Sequence, residues 1–270
     1  RPPAPTHCLV GSEMCIRARA TGASENMIPF PGWTLPGVIG AGAAQTMANI
    51  HGIRPGNEIL MVGSGNVGVI VSYQMMQAGA RIAAVIDAAP KIGGYAVHAA
   101  KIARVGVPFF MSHTIKEAQG KERVEGATII EVDDSWNPIP GTEKQFEVDT
   151  VCIAVGLNPS TQLIRMAGCK MAHSPVLGGQ LPAHDLNQET SVRGLYVAGD
   201  ASGIEEASTA IIEGRIAGLA IAHSLGYLDE SAYLSARDEQ FQSMVGMRSG
   251  SHGEIRAKAK EYLNAMMEEQ

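Results

Sequence analysis

The sequence predicts an α/β fold with a doubly wound parallel sheet and a helical C-terminal tail. Two segments carry this prediction: a strand–glycine turn–helix–strand unit over residues 58–87, and a buried strand at 194–198 before a long helix of small residues. The 31 glycines and the 5% share of aromatic residues agree with it, because tight glycine turns suit an α/β protein better than an all-β sandwich.

Charge and hydropathy argue against two classes of partner. The net charge of −6 comes without a block of basic residues, which argues against nucleic acid and against an anionic membrane surface. The longest apolar stretch, residues 211–225, is interrupted by Glu213, Arg215 and His223. The sequence therefore predicts no membrane span.

The four cysteines are not arranged as a functional group. Cys8, Cys15, Cys152 and Cys169 show neither a CxxC pair nor the spacing of metal ligands. We therefore predict no metal site and no redox cysteine pair, and we expect a reduced, cytoplasmic setting.

Residues 1–18 differ from the rest of the chain. They open Arg-Pro-Pro-Ala-Pro and continue without a helical or strand-like period. They resemble the translated read-through of a sequencing adapter, so we interpret them as a non-native segment. The alternative is an ordinary irregular N-terminus. Because of this interpretation, Cys8 and Cys15 support no functional prediction.

Local patterns predict the remaining elements. Apolar runs of strand length alternate with helical spacings, and turn residues separate them. The predicted order is a strand at 58–62, a helix at 66–78, a strand at 81–86, a helix at 95–105, a strand at 107–111, an antiparallel meander of 124–132 and 145–149, strands at 150–155 and 194–198, a helix at 205–225, and a polar helical segment at 229–270.

A glycine-rich turn, Gly63-Ser64-Gly65-Asn66-Val67-Gly68, joins the first of these strands to the first helix. In this pattern Gly63 permits a tight turn, Gly65 lets a pyrophosphate approach the backbone, and Gly68 lets the helix pack closely on the strand. The helix N-terminus, at Asn66 and Val67, presents N–H groups and a positive dipole end to phosphate. The pattern predicts dinucleotide binding; the alternative is a glycine turn at an ordinary helix start.

Asp87 ends the next strand, 24 residues after Gly63. Its carboxylate can accept hydrogen bonds from ribose hydroxyls, and its charge would repel a 2′-phosphate. We therefore predict NAD rather than NADP as the ligand, although Lys91 is the nearest cation in the sequence and weakens the argument.

A second glycine-rich stretch, Gly40-Ala41-Gly42-Ala43-Ala44-Gln45, is interpreted as a loop entering a helix of small residues. It lacks the third glycine, and residues 31–36, bounded by two prolines, precede it where a buried strand should stand.

The strand at 194–198 ends in Gly199 and Asp200, which places a carboxylate at the edge of a sheet where ligands bind. Asp200 could accept a hydrogen bond from a polyol hydroxyl, and the helix start near Ala207 could stabilise negative charge on a reduced flavin. The alternative is that Asp200 caps the helix.

Four stretches occur in the order seen in pyridine-nucleotide-dependent FAD oxidoreductases, and the chain resembles this family over residues 19 to about 226. The stretches are Ala20-Thr21-Gly22-Ala23, the glycine turn at 63–68, Ala154-Val155-Gly156-Leu157-Asn158-Pro159, and Tyr196-Val197-Ala198-Gly199-Asp200. The resemblance implies FAD and NAD as cofactors. It places Thr21 and Gly22 near FAD, Asp200 on the ribityl chain, Ala207 at the flavin ring, and Gly156 where the chain crosses back to the FAD domain.

The same resemblance implies a domain organisation in which a Rossmann-like NAD domain is inserted into an FAD-binding domain. Residues 19–51 would be an FAD-domain remnant, 52–155 the NAD domain, 156–228 the second half of the FAD domain, and 229–270 a helical segment. The family's first glycine turn would stand upstream of Thr21, where only the foreign-looking segment is found. We therefore expect an N-terminally truncated chain that is inactive alone and retains little FAD.

A narrower resemblance rests on the proline loop at 28–38 and on Gly93-Gly94-Tyr95-Ala96-Val97-His98. Both are similar to the flavin subunits of sarcosine oxidase α, opine oxidase and dye-linked proline dehydrogenase. This implies hydride transfer between nicotinamide and flavin, a small-molecule amine or imino acid as substrate, and partner subunits. The alternative is a non-catalytic nucleotide-binding or electron-transfer subunit of a larger dehydrogenase complex. No catalytic residue is predicted, because His98 is interpreted as a structural histidine.

Overall fold

The computed structural model describes residues 16–268, except for the side chains of residues 251, 252 and 268. The strands, in chain order, are β1 (Arg17–Arg19), β2 (Ala23–Glu25), β3 (Val38–Gly40), β4 (Glu58–Val62), β5 (Arg81–Asp87), β6 (Phe109–Met111), β7 (His113–Gln119), β8 (Gly126–Glu131), β9 (Lys144–Phe146), β10 (Thr150–Ile153), β11 (Leu157–Pro159), β12 (Met171–Ser174), β13 (Gly179–Pro182) and β14 (Leu195–Val197). The helices are α1 (Ala41–His51), α2 (Asn66–Gln77), α3 (Ala96–Ala103), α4 (Gln162–Met166), α5 (Ala207–Ser224), α6 (Glu230–Met247) and α7 (Ser251–Glu268).

The chain divides into two compact units. One consists of Glu25–Gly156, and the other contains the residues before Glu25 together with those from Leu157 onward. The sequence places the start of the inserted domain at residue 52, whereas the compact unit begins at Glu25. Strand β3 explains the difference, because it pairs in parallel with β10 and so completes the sheet of this unit.

A five-stranded sheet in the order β3-β10-β4-β5-β6 forms the centre of the Glu25–Gly156 unit, and all of its recorded pairs are parallel. Neighbouring residues of β4 point to opposite faces. Ile59 and Met61 pack with residues of α1, α2 and α3, whereas Leu60 and Val62 pack with residues of β7 and β8. Both faces are therefore buried, which is why β4 reads as a continuous apolar run.

The second face of this sheet is covered by an antiparallel sheet in the order β7-β8-β9. The meander predicted at 124–132 and 145–149 corresponds to β8 and β9. Strand β7 was not predicted, because its sequence, His-Thr-Ile-Lys-Glu-Ala-Gln, contains only two apolar residues. Those two, Ile115 and Ala118, are the ones that face the core.

The other unit begins with β1, which pairs in parallel with β14, so that Arg17 lies opposite Leu195. Residues 16–18 of the segment interpreted as non-native therefore take part in the fold of this unit. The rest of that segment, with Cys8 and Cys15, lies outside the described residues.

The later helices of this unit pack on its strands. Tyr196 of β14 forms a cluster with Ala217 of α5 and Tyr233 of α6, and Leu263 of α7 packs beside β12 and β13. The predicted helical C-terminal segment thus forms α6 and α7, which contribute to the core. The predicted α/β class is confirmed by both units. Among the described helices, none combines the length and the apolar run that crossing a bilayer requires.

Candidate functional site

Two glycines of the 63–68 turn are required by sterics alone. Gly63 has φ +113°, and a Cβ there would collide with the carbonyl oxygen of Ala154. A Cβ on Gly68 would collide with the carbonyl oxygen of Gly63. These residues let strand β4, helix α2 and strand β10 approach one another as closely as they do.

Gly65 is different, because no protein atom lies within 4 Å of the position that its Cβ would occupy. Its φ of −64° suits any residue, and it precedes α2 without a side-chain cap on the helix. Packing therefore gives no reason for glycine here. The space above Gly65 opens onto the N–H groups and the positive dipole end of α2, which form a site for an anion.

Asn66 and Val67 form the first turn of α2 beside this space. Oδ1 of Asn66 accepts a hydrogen bond from the backbone N of Tyr95 at 2.8 Å, so Asn66 joins the helix start to the loop before α3. The Val67 side chain is 38% exposed.

Asp87 lies at the carboxyl end of β5 and is bonded to the glycine turn. Its Oδ2 accepts from the backbone N of Ser64 at 2.7 Å and from the Ser64 hydroxyl at 2.6 Å, and its Oδ1 accepts from the backbone N of Ala89 at 2.9 Å. A carboxylate has about four lone-pair sites. The half-buried side chain therefore keeps acceptor capacity for a ribose hydroxyl.

Ser64 was missed by sequence reasoning, where it counted only as a variable position of the turn. It is fully buried, and besides Asp87 its hydroxyl accepts from the backbone N of Gly93 at 3.1 Å. Its carbonyl accepts from Gly94 at 2.8 Å. Ser64 thus connects the turn, the carboxylate and the Gly93-Gly94 loop.

A cavity of about 840 Å³ lies over these groups, and every residue that lines it belongs to the Glu25–Gly156 unit. The volume falls within the range of about 300–1,000 Å³ that is typical of ligand sites. Its lining includes Gly63, Gly65, Asp87, Ala88, Gly93, His113, Thr114, Trp136, Val155 and Gly156. The open space at Gly65, the uncapped helix start and the carboxylate at the cavity wall fit an elongated dinucleotide.

Gly156 and His113 are two further parts of this wall. Gly156 has φ +106°, and its carbonyl accepts from the backbone N of Asn26 at 3.0 Å. His113 is buried; its Nδ1 donates to the carbonyl of Met111 at 2.8 Å, and its Nε2 accepts from Nζ of Lys144 at 2.9 Å. His113 was missed because β7 was missed.

The second glycine-rich stretch enters α1 directly after β3, so a short strand does precede it, contrary to the expectation of a loop. Three residues are too few for a strand pattern to be visible in the sequence. The carboxylate of Glu25 accepts hydrogen bonds from the backbone N of Gly42 and, at 3.1 Å, of Ala43. A side chain of the same unit therefore occupies the place at α1 that a phosphate would need.

Asp200 stands at the predicted edge in the other unit. Its half-buried carboxylate makes no recorded hydrogen bond within the described part of the chain, and burial, reinforced by the charge of Glu213, raises its pKa. It does not cap α5, whose first residue is Ala207 and whose N-cap is Glu206. The capping alternative is therefore wrong, and the carboxylate is available as an acceptor.

Glu213 anchors the turn that carries Asp200, and sequence reasoning missed it. Its buried Oε2 accepts from the backbone N of Gly199 at 2.9 Å and from the Ser202 hydroxyl at 2.7 Å. Its Oε1 accepts from Nζ of Lys260, on α7, at 2.7 Å. Burial by itself raises the pKa of Glu213, but Lys260 and Ser202 together more than offset this and leave the pKa below its ordinary value.

Thr21 and Gly22 lie beside Ser160 in the same unit. The Thr21 hydroxyl donates to the carbonyl of Ser160 at 2.6 Å, and the carbonyl of Gly22, which has φ +67°, accepts from the backbone N of Ser160 at 2.9 Å. These contacts fix the loop before β2, and no recorded bond joins it to Asp200.

The two cysteines in the described part of the chain are free and buried. Burial, reinforced by the charge of Glu25, raises the pKa of Cys152 to about 12, and burial also raises the pKa of Cys169. Neither is a reactive thiolate. Within residues 16–268, no group of three or more histidine, cysteine or acidic side chains could hold a metal ion.

Comparison with known proteins agrees with this site. The family described as pyridine nucleotide-disulphide oxidoreductase matches residues 19–214. An opine oxidase subunit of Rhizobium meliloti is 30% identical over 278 residues, which cover 90% of this chain and 59% of that protein. The alpha subunit of sarcosine oxidase from Corynebacterium sp. is 24% identical over 208 residues, which cover 77% of this chain and 20% of that protein.

Two solved structures share the fold. The thioredoxin reductase of T. acidophilum has a TM-score of 0.62 and 23% identity, covering 76% of this chain and 64% of its own. The L-proline dehydrogenase from P. horikoshii has a TM-score of 0.55 and 22% identity, covering 82% of this chain and 37% of its own. The chain spans between one fifth and three fifths of the two curated relatives named above. The predicted resemblance is confirmed: the chain belongs to the pyridine nucleotide-disulphide oxidoreductase family, whose members use FAD and NAD(P).

Proposed function

We propose that the Glu25–Gly156 unit binds NAD(H), and that the other unit supplies part of an FAD site, so that hydride passes between nicotinamide and flavin. The cofactors supply the redox chemistry, and the protein supplies binding, orientation and electrostatics. Family membership supports this proposal, and the observation that carries it is the open space above Gly65 at the start of α2.

In this proposal, the backbone of Gly63, Gly65, Asn66, Val67 and Gly68 receives the pyrophosphate. The N–H groups at the start of α2 stabilise its negative charge. The carboxylate of Asp87 accepts from the adenosine ribose, and the same charge disfavours the 2′-phosphate of NADP.

On the FAD side, Asp200 accepts from the ribityl chain, and the start of α5 at Ala207 faces the flavin ring. Thr21, Gly22 and Gly199 contribute backbone around it, and Gly156 ends the inserted unit. The free carboxylate of Asp200 supports this assignment, because a half-buried acceptor without a hydrogen-bond partner is costly unless a ligand satisfies it.

For the whole protein we propose oxidation of a small-molecule amine or imino acid in a complex with partner subunits. Support comes from relatives that are themselves named as subunits of opine oxidase and sarcosine oxidase. A reduced, cytoplasmic setting is consistent with the free thiols of Cys152 and Cys169.

A second candidate function is nucleotide binding or electron transfer without substrate chemistry in this chain. One observation favours it. The histidine at the cavity, His113, is held by Met111 and Lys144 on both ring nitrogens, so neither nitrogen is available as a general base. Reduction of a bound flavin by the amine substrate in the absence of any partner chain would exclude this candidate.

Replacing Gly65 tests the NAD(H) site. Gly65→Ala should fold as the native chain does, because its Cβ meets no protein atom, but the methyl group should occupy the space of the pyrophosphate and weaken NADH binding by at least about tenfold. Gly246→Ala is the matched control, because its Cβ also meets no protein atom and its φ is not positive. Calorimetric titration with NADH and circular dichroism measure both variants. Native affinity in Gly65→Ala would overturn the proposal.

A further inference from the structure

Trp136 presents an exposed aromatic ring to the cavity. Its side chain is 66% exposed, and it lines the same 840 Å³ space as Gly65 and Asp87. Tryptophan offers a large flat surface for stacking on another ring. The proposed function gives this residue no role, since neither the glycine turn nor the carboxylate involves it.

The backbone holds Trp136 in a conformation that bulky residues rarely adopt, with φ +65°. Its N–H donates to the carbonyl of Asp133 at 2.9 Å. The Oδ1 atom of Asp133 accepts from the backbone N of Ser135 at 2.9 Å and of Asn137 at 2.8 Å. The turn therefore fixes the ring against the intrinsic preference of its backbone, a cost of the kind that is found at functional sites.

The segment that leads to Trp136 adjoins the loop after Asp87. The backbone N of Ser112 donates to the carbonyl of Ala89 at 3.0 Å, and the backbone N of Val132 donates to the carbonyl of Ser112 at 2.8 Å. Val132 lines the cavity together with Trp136. Trp136 thus belongs to the wall of the cavity at which Asp87 ends its strand.

We propose that Trp136 stacks on the adenine ring of the bound dinucleotide. This assignment rests on the function proposed above, in which Asp87 holds the ribose that carries adenine. The base next to that ribose is the planar aromatic group nearest to the Val132–Trp136 wall. The ligand class is an adenine nucleotide, and the subsite should recognise ADP without the nicotinamide half.

Tryptophan fluorescence tests the proposal without measuring activity. The chain has two tryptophans, so Trp33→Phe leaves Trp136 as the sole emitter. In that background, NAD⁺ and ADP should quench the emission, and nicotinamide mononucleotide should not. Calorimetry on the full chain should show ADP and NADH binding about tenfold weaker in Trp136→Ala, since base–aromatic stacking contributes at about this scale, and largely retained in Trp136→Phe.

Trp33→Ala is the matched control, because Trp33 is 44% exposed and does not line the cavity, and its binding should equal that of the native chain. Native NADH affinity in Trp136→Ala would overturn the stacking assignment while leaving the proposed function intact. Quenching by nicotinamide mononucleotide but not by ADP would also overturn it. If the native chain does not bind NADH, the proposed function fails, and the assignment fails with it.

Discussion

The Nζ atom of Lys260 lies 2.7 Å from Oε1 of Glu213, and both side chains are at most 4% exposed. Lys260 also donates to the carbonyl and to the hydroxyl of Ser202, at 2.9 Å and 2.8 Å. This pair connects α7 to the turn that holds Asp200. The C-terminal helices are therefore part of the structural support of the candidate flavin site.

Lys260→Met should destabilise the chain strongly, because it leaves the Glu213 carboxylate buried without its countercharge. Removal of one partner of such a pair costs about 3–5 kcal/mol. Glu213→Gln in addition should recover much of the loss, and Lys258→Met, at an exposed position on the same helix, should change the free energy of unfolding by less than about 0.5 kcal/mol. Urea unfolding at pH 7 measures all three. A loss below about 1 kcal/mol in Lys260→Met would show that the pair is not a stabilising contact.

His184 should make the stability fall in mild acid. Burial, reinforced by the charge of Lys260, lowers its pKa from 6.5 to about 4. Between these values the unfolded chain binds a proton that the folded chain does not, so acidification through this window favours unfolding, by roughly 3 kcal/mol in full. His184→Asn, whose amide can still donate to the carbonyl of Pro182, should remove most of this slope. Unfolding free energies at pH 7 and pH 4.5 measure it. The slope should persist in His173→Asn, because His173 is exposed.

Asp87 should set the preference between the two pyridine nucleotides. The native chain should bind NADH at least about tenfold more tightly than NADPH, since a hydrogen bond to a charged group contributes about 1.5–3 kcal/mol. Asp87→Asn keeps one acceptor oxygen but removes the charge, so the two affinities should converge. Glu122→Gln makes the same change of charge at an exposed position and should leave the ratio unchanged. Equal affinities in the native chain would contradict the role proposed for Asp87.

Asp200→Ala should weaken flavin binding by about tenfold, because a ribityl hydroxyl would lose its charged acceptor. Titration with FAD, followed by quenching of flavin fluorescence, measures the effect. Asp238→Ala removes a carboxylate that is 68% exposed on α6 and should bind FAD as the native chain does. If Asp200→Ala does so too, Asp200 is not part of the site.

The glycine turn and its carboxylate could be predicted because they are local. Gly63, Gly65 and Gly68 lie within one strand-to-helix connection, and Asp87 follows at the end of the next buried strand. Their spacing alone therefore defines the geometry, and the structure places the turn and the carboxylate at the same edge of the sheet.

The contacts that support the site could not be predicted, because they join distant residues. Glu213 and Lys260 are 47 positions apart, and nothing in either local pattern marks them as partners. Strand β7 is mostly polar, and β3 has three residues, so neither has a period long enough to detect. Trp136 lies on a turn whose position depends on both strands of the meander.

Glu25 gives the Glu25–Gly156 unit an electrical asymmetry between two otherwise comparable helix starts. At α1 the exposed amides are already neutralised by an acid of the same unit, whereas at α2 the amides beyond Gly65 have no such counterion among the recorded contacts. The two glycine-bearing sequences therefore do not compete for a phosphate. Discrimination between a true and a decoy anion site is achieved here by one self-supplied carboxylate, encoded on the strand that precedes the proline loop and the helix that it closes.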